Sequence, residues 1–106
     1  MAKFLFVYHG EGKPETPEAG QELMTQWRAW MEGLGDAIVD PGIPVGMSKT
    51  VSADGVTDDG GPNPTSGITI VEADNMDAAI AMAQPCPHIT LNGGTIEVAE
   101  AMEMEM

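Results

Sequence analysis

Cations and cysteines are scarce in this sequence, and each shortage excludes a class of function. Four Lys and Arg residues stand against 17 Asp and Glu among 106 residues, which gives a formal net charge of -13. A field of this sign repels phosphate backbones and anionic lipid headgroups. Neither nucleic acid nor a membrane surface is therefore an expected partner. The single cysteine, Cys86, has no second thiol with which to form an internal disulfide.

Long apolar runs are also missing. No stretch approaches the roughly 20 apolar residues of a membrane span, and the first apolar run ends at Gly10, too early for the apolar core of a secretory signal. We therefore expect a cytoplasmic protein. The hydrophobic fraction of 42% predicts a globular chain, and its length predicts one domain over residues 1–106, because a chain this short has room for a single core.

The apolar pattern predicts four strands and two helices in the order β-α-β-β-α-β. Thr16 and Pro17 form a capping residue and a first-turn proline, and Gly35 marks the end of that first helix. Asp74 is the expected N-cap of the second helix, which the prolines at 85 and 87 should end. The strands are predicted at 4–8, 37–39, 67–72 and 95–102, the last continuing its alternation through Met104 and Met106.

The segment between the second and third strands, residues 44–66, is long and rich in Gly, Asp, Pro and Ser. It is either a lid or a hairpin. In the hairpin interpretation, residues 48–52 extend the second strand and Asp54-Gly55 forms the turn.

This order of elements predicts an α+β fold of the ferredoxin-like kind, with two helices on one face of an antiparallel sheet. The first strand is apolar on both sides, from Phe4 to Tyr8. Both of its faces should therefore be covered. A second copy of the chain is the most economical cover for the face without helices, so we expect a homodimer.

Several side chains are candidates for chemistry. His9 ends the first strand and is suited to proton transfer near neutral pH, although the pattern favours a hydrogen-bonded structural histidine at the end of a strand. Cys86 and His88 flank a proline and form a conceivable nucleophile pair, against which stands a buried, inert thiol. Glu97 shares its side of the last strand with small alanines and is a candidate base in a cavity, or an edge carboxylate in water.

An aromatic pocket is the remaining candidate site. Tyr8, Trp27 and Trp30 are its expected lining, although aromatic residues at helical spacing are more often part of the core. Cys86 and Lys49 are further candidate lining residues. No metal site is predicted, because the soft ligands are few and lack zinc spacing, and no cofactor is predicted either.

Four segments together resemble the YCII-related (DGPF-type) domain family. They are residues 3–10, residues 35–42, Cys86-Pro87 and residues 94–98, and residues 59–63 are similar to the family's Asp-Gly-Pro-Phe signature with an extra Gly and no Phe. The resemblance implies a YCII-like domain that forms a dimeric α+β barrel. One group of the family resembles dehydrochlorinases of chlorinated hydroxyhydroquinones, which use a His and an Asp facing a pocket between sheet and helices. Those positions fall at Met24 and Cys86 here, so that pair is absent.

Two functions follow as hypotheses. The first is an enzyme that transfers a proton on a small cyclic or aromatic compound, in the manner of a lyase or isomerase, within the dimer's cavity. His9, Asp40, His88 and Glu97 are its candidate catalytic residues. The second is a module without catalysis that binds a small ligand or another protein through the long acidic loop.

Overall fold

Six strands and three α-helices make up the part of the chain that the computed structural model describes, residues 2–10 and 15–102. The helices are α1 (Pro17–Leu34), α2 (Met76–Ala83) and α3 (Pro87–Thr90), and a 3₁₀ turn (Gly35–Ala37) follows α1. The strands are β1 (Ala2–His9), β2 (Ile38–Pro44), β3 (Thr50–Ser52), β4 (Gly55–Thr57), β5 (Thr65–Ala73) and β6 (Thr95–Glu100).

Four of the strands form one antiparallel sheet in the order β2-β5-β1-β6. The register places Phe6 of β1 opposite Thr69 of β5 and Val98 of β6. The first and third long strands therefore lie at the centre and the second and fourth at the edges. This arrangement confirms the predicted α+β fold of the ferredoxin-like kind.

The core lies between this sheet and the helices. Phe4, Phe6 and Tyr8 alternate along β1 and are buried on the helix side. The ring of Trp30 in α1 stacks on Phe6 with centroids 6.2 Å apart, and its indole N–H donates to the Met82 carbonyl of α2 at 2.9 Å. The two helices are thus joined over the same face of the sheet, where apolar burial stabilises them.

The other face of the sheet carries no helix, and we call it the open face. Its central side chains are Leu5, Val7, Ile68, Ile70 and Ala99, placed there by the register of β1, β5 and β6. All five are half-buried. Within one chain β1 is therefore fully buried on one side only, and the two-sided burial expected from its sequence is incomplete.

The first helix has the predicted ends. The Thr16 hydroxyl accepts from the Ala19 N–H at 3.0 Å, and Pro17 follows at the first helical position. Gly35 ends the helix with φ of 54°, a conformation that glycine adopts without steric cost.

Other predicted boundaries were wrong. The second strand does not stop before Asp40 but continues to Pro44 through two irregularities in its pairing. The cap of α2 is Asn75, whose side chain accepts from the Ala78 N–H at 2.8 Å, and not Asp74. Pro87 begins α3, as proline at a first helical position can. The last strand ends at Glu100, and Met104 and Met106 lie outside the described residues.

The long connection contains a hairpin. Strands β3 and β4 pair with each other and form a separate two-stranded sheet, so the predicted extension of the second strand was wrong. The residues between the strands are Ala53 and Asp54. Val51 and Val56 lie opposite each other in this hairpin and are 77% and 64% exposed.

Candidate functional site

A cavity of about 530 Å³ lies between α1 and the β2 edge of the sheet, and we call it the α1 cavity. Helix α1 and strands β2 and β5 supply most of its wall, and β1 and α3 supply one residue each. Its lining is mostly apolar and comprises Tyr8, Met24, Trp27, Arg28, Met31, Glu32, Pro41, Gly42, Ile43, Pro44, Ser66, Gly67, Ile68, Thr69 and His88.

The course of β2 depends on one glycine in this wall. Gly42 has φ of 77°, and a β-carbon there would overlap the Ile68 carbonyl. The Asp40 carboxylate accepts from the Gly42 N–H at 2.8 Å, a local turn that holds this irregular part of β2. Asp40 is therefore an exposed residue that shapes the strand beside the cavity.

Two hydroxyl groups form a polar chain along the cavity wall. The Tyr8 hydroxyl donates to Thr69 Oγ1 at 2.8 Å, and Thr69 Oγ1 donates to the Pro41 carbonyl at 3.1 Å. Burial raises the pKa of Tyr8, which the Thr69 hydrogen bond offsets only in part. Tyr8 therefore remains a neutral phenol at physiological pH.

His88 is the imidazole that lines the cavity. Its Nε2 lies 2.7 Å from the backbone carbonyl of His9. A carbonyl only accepts, so Nε2 carries the proton in this bond. The Tyr8 ring meets the imidazole edge to face at 5.5 Å, and Gly94 packs so closely on it that a β-carbon would overlap the ring. The orientation of His88 is thus set from three sides.

The charged side chains of the cavity are both on α1. Arg28 and Glu32 are exposed residues one helical turn apart that line it. Because they carry opposite charges, they leave this part of the lining without net charge.

His9 and Glu97 meet on the opposite side of the sheet. Glu97 lies opposite Val7 in the register and so belongs to the open face. His9 Nε2 is 3.0 Å from Glu97 Oε1, and His9 Nδ1 is 3.2 Å from the Pro64 carbonyl. Both ring nitrogens therefore face acceptors, and both bonds form together only when the ring carries two N–H groups. The structure joins two predicted residues here, but away from the α1 cavity.

The predicted pocket residues are divided. Tyr8, Trp27 and His88 line the α1 cavity. Cys86 does not: it is fully buried in the core, where burial raises its pKa to about 11 in spite of a hydrogen bond from the His88 backbone. Lys49 does not line it either, because its ammonium group lies 3.4 Å from the Asp58 carboxylate on the exposed hairpin connection. Cys86 and His88 are thus neighbours in sequence with different surroundings.

Sequence reasoning missed Thr69 and Arg28. Thr69 is polar, yet it lies on the buried face of β5 between two isoleucines that point the other way. A hydroxyl at a core position needs a partner, and this requirement is the signal that could have singled it out. Arg28 is one of only four cations and follows Trp27 directly. Met24, where the resemblance places a catalytic histidine, does line the cavity.

Metal ligands and membrane helices are not found among the described residues. No group of three His, Cys, Asp or Glu side chains within 2–10 and 15–102 has an arrangement that could hold a metal ion. In the same residues no helix combines the length and apolar character needed to cross a membrane.

The family of the chain is shown by a family model and not by any single curated protein. A comparison with curated proteins finds no match. The family model of the YCII-related domain matches residues 4–105. This match covers nearly the whole chain, including the strands and helices that enclose the α1 cavity. The chain therefore belongs to the YCII-related domain family.

Proposed function

We propose that this protein binds a small cyclic or aromatic compound in the α1 cavity and transfers a proton on it, as a lyase or isomerase does. The observation that carries the proposal is the cavity itself. Its volume of about 530 Å³ suits a small molecule, and its lining is apolar with a few polar groups. Trp27 and Tyr8 offer aromatic surfaces for a flat ring.

His88 is the proposed proton acceptor. Its Nε2–H is held by the His9 carbonyl, so in the neutral ring the lone pair resides on Nδ1. A base whose tautomer and orientation are set by its neighbours needs no reorganisation when the substrate arrives. Tyr8 is not suited to this role, because its raised pKa keeps the phenol protonated.

Binding is tested by titrating a panel of small cyclic compounds against tryptophan fluorescence, to which Trp27 contributes. Wild type is expected to show saturable quenching. Met24→Trp should fill the cavity and abolish the quenching, whereas Ile80→Trp on α2 serves as the matched control.

Proton transfer is tested by exchange of ligand C–H for deuterium in D₂O. Exchange should be lost in His88→Gln while binding remains. Equal exchange in both proteins contradicts the assigned base.

A module without catalysis is the second candidate. The observation that favours it is the β3–β4 hairpin, which exposes the apolar pair Val51 and Val56 away from the main sheet. Such a pair suits contact with another protein. Deletion of residues 52–62 should abolish partner binding if this candidate holds, and partner binding that survives the deletion contradicts it.

We propose further that the protein is a homodimer, in which two open faces pack together as a barrel. Leu5, Val7, Ile68 and Ile70 are half-buried and apolar, and complete burial of such side chains contributes about 1.5–3 kcal/mol each when they start fully exposed. Half-buried side chains contribute less. In this assembly His9 and Glu97 lie between the two sheets, and any chemistry of theirs belongs there.

A further inference from the structure

The direction of the hydrogen bonds along the wall of the α1 cavity can be assigned group by group. The Pro41 carbonyl only accepts, so Thr69 uses its one proton in that bond. Thr69 Oγ1 is then an acceptor for Tyr8, and Tyr8 uses its one proton there. The phenol therefore keeps lone pairs, and no proton, for a third partner.

The same reasoning applies to His88. Its Nε2–H is used by the His9 carbonyl, and the neutral ring has no second proton to donate. Tyr8 and His88 are neighbours, with ring centroids 5.5 Å apart. The two polar rings of the cavity are thus both acceptors toward a ligand.

Because both polar rings accept hydrogen bonds, and resting on the proposed function, we infer that the ligand of the α1 cavity is a compound without negative charge that donates a hydrogen bond from an O–H or N–H group. The ligand's donor meets Tyr8 Oη or His88 Nδ1, and its apolar body lies against Trp27 and Met31. An anion is disfavoured, since two acceptors face it, Glu32 balances the charge of Arg28 in the lining, and the net charge of the chain is -13.

Selectivity follows from the same bonds. A ligand of equal shape without a donor leaves both acceptors unpaired when it expels water from them, which costs affinity. One missing hydrogen bond of this kind corresponds to about tenfold in the dissociation constant.

Thr69 acts as a positioning residue, because it holds the Tyr8 proton away from the ligand. In Thr69→Val that proton has no partner and becomes available to an acceptor. The variant should therefore lose the preference for donors and bind acceptors better than wild type does. Tyr8→Phe removes the phenol lone pairs and should reduce the preference without creating an affinity for acceptors.

Indole and benzofuran are the matched probes, since they differ in replacing an N–H donor with an ether oxygen. Calorimetric titration of wild type should give about tenfold tighter binding of indole. In Thr69→Val the ratio should approach one, through a gain for benzofuran. Thr57→Val on the exposed hairpin should keep the wild-type ratio, and circular dichroism checks the fold of each variant.

The outcomes separate the two claims. Saturable binding of both probes to wild type with equal affinity contradicts the inferred ligand class and leaves the proposed function standing. If neither probe nor any compound of the panel binds wild type, the proposed function fails, and the inference fails with it. The wild-type comparison decides even if Thr69→Val does not fold.

Discussion

The Nε2–H of His88 donates to the backbone carbonyl of His9 at 2.7 Å, and this bond ties α3 to the end of β1. The side chains of these two residues lie on different faces of the sheet. The His88 ring lines the α1 cavity, whereas the His9 side chain turns to Glu97 on the open face. His9 therefore contacts both the cavity wall, through its backbone carbonyl, and the open face, through its side chain.

Gly94 should be intolerant of a side chain, because a β-carbon there overlaps the His88 imidazole. We expect Gly94→Ala to lower the free energy of unfolding by about 1–3 kcal/mol, the usual cost of overpacking. Gly33→Ala is the control, since a β-carbon at Gly33 meets nothing within 4 Å and alanine favours a helix. Urea unfolding measures both. If the two variants have equal stability, Gly94 does not constrain His88.

His9 should contribute more to stability than Glu97, although they form one pair. His9 is 7% exposed and bonds to the Pro64 carbonyl as well, so His9→Ala removes a buried side chain and leaves that part-buried hydrogen bond unmade. We expect a loss of about 2 kcal/mol. The Glu97 side chain is 63% exposed, and Glu97→Ala should cost less than about 1 kcal/mol. Urea unfolding of both variants tests this, and equal losses would contradict it.

Stability should fall in alkaline solution because of Cys86. Burial raises its pKa from 9.0 to about 11. Between these values the unfolded chain loses the thiol proton and the folded chain keeps it. The stability that the protonated Cys86 thiol contributes is therefore complete below pH 9 and declines as the pH rises toward 11, by about 2–3 kcal/mol. Unfolding measured across this range should decline less steeply in Cys86→Ala.

Ionisation of Tyr8 should cause a second decline in stability, which begins at a higher pH than the decline caused by Cys86. Its pKa is also raised by burial, from an ordinary value of 10.0. The loss that remains in Cys86→Ala should therefore start above pH 10 and disappear in the double variant with Tyr8→Phe.

A thiol reagent supplies an independent check on the burial of Cys86, because the buried thiol should react only as fast as the protein opens. Immediate reaction in the native protein would contradict the assigned burial.

A charge on the open face should dissociate the proposed dimer. We expect wild type to sediment as a dimer and Ile70→Glu as a monomer, since a carboxylate between two apolar faces loses its hydration. Ile80→Glu introduces the same charge on α2, outside the proposed interface, and should remain dimeric. Sedimentation at several concentrations distinguishes them. A monomeric wild type at micromolar concentration would remove the proposal.

The local pattern of the sequence predicted the elements well where end signals and periodicity agreed. The first helix began at Pro17 and ended before Gly35 as expected, because a hydroxyl cap, a proline and a glycine act within one turn of the backbone. The predicted cap of the second helix, Asp74, was wrong. Its neighbour Asn75 is an equally suitable capping residue, and only the backbone geometry selects Asn75.

The candidate site was less predictable. His9 and Glu97 are two separate candidates in the sequence, and they meet although they lie 88 positions apart. Cys86 and His88 were named together, yet α3 buries the thiol in the core and brings the imidazole to the cavity. The helix that begins at Pro87 separates the surroundings of the two side chains. The sequence predicted only that the two prolines end the preceding helix.

The sequence alone therefore determined the order of the four strands of the main sheet and the two longer helices, the acidic charge and the apolar character of the first strand. These depend on the alternation of side chains and on backbone preferences within a few residues. Only the tertiary structure decided that Tyr8, Thr69 and Pro41 form one chain of hydrogen bonds and that His88 faces the same cavity. The direction of each hydrogen bond depends on which donor meets which acceptor. Donors and acceptors on strands that are distant in the sequence meet only when those strands pair.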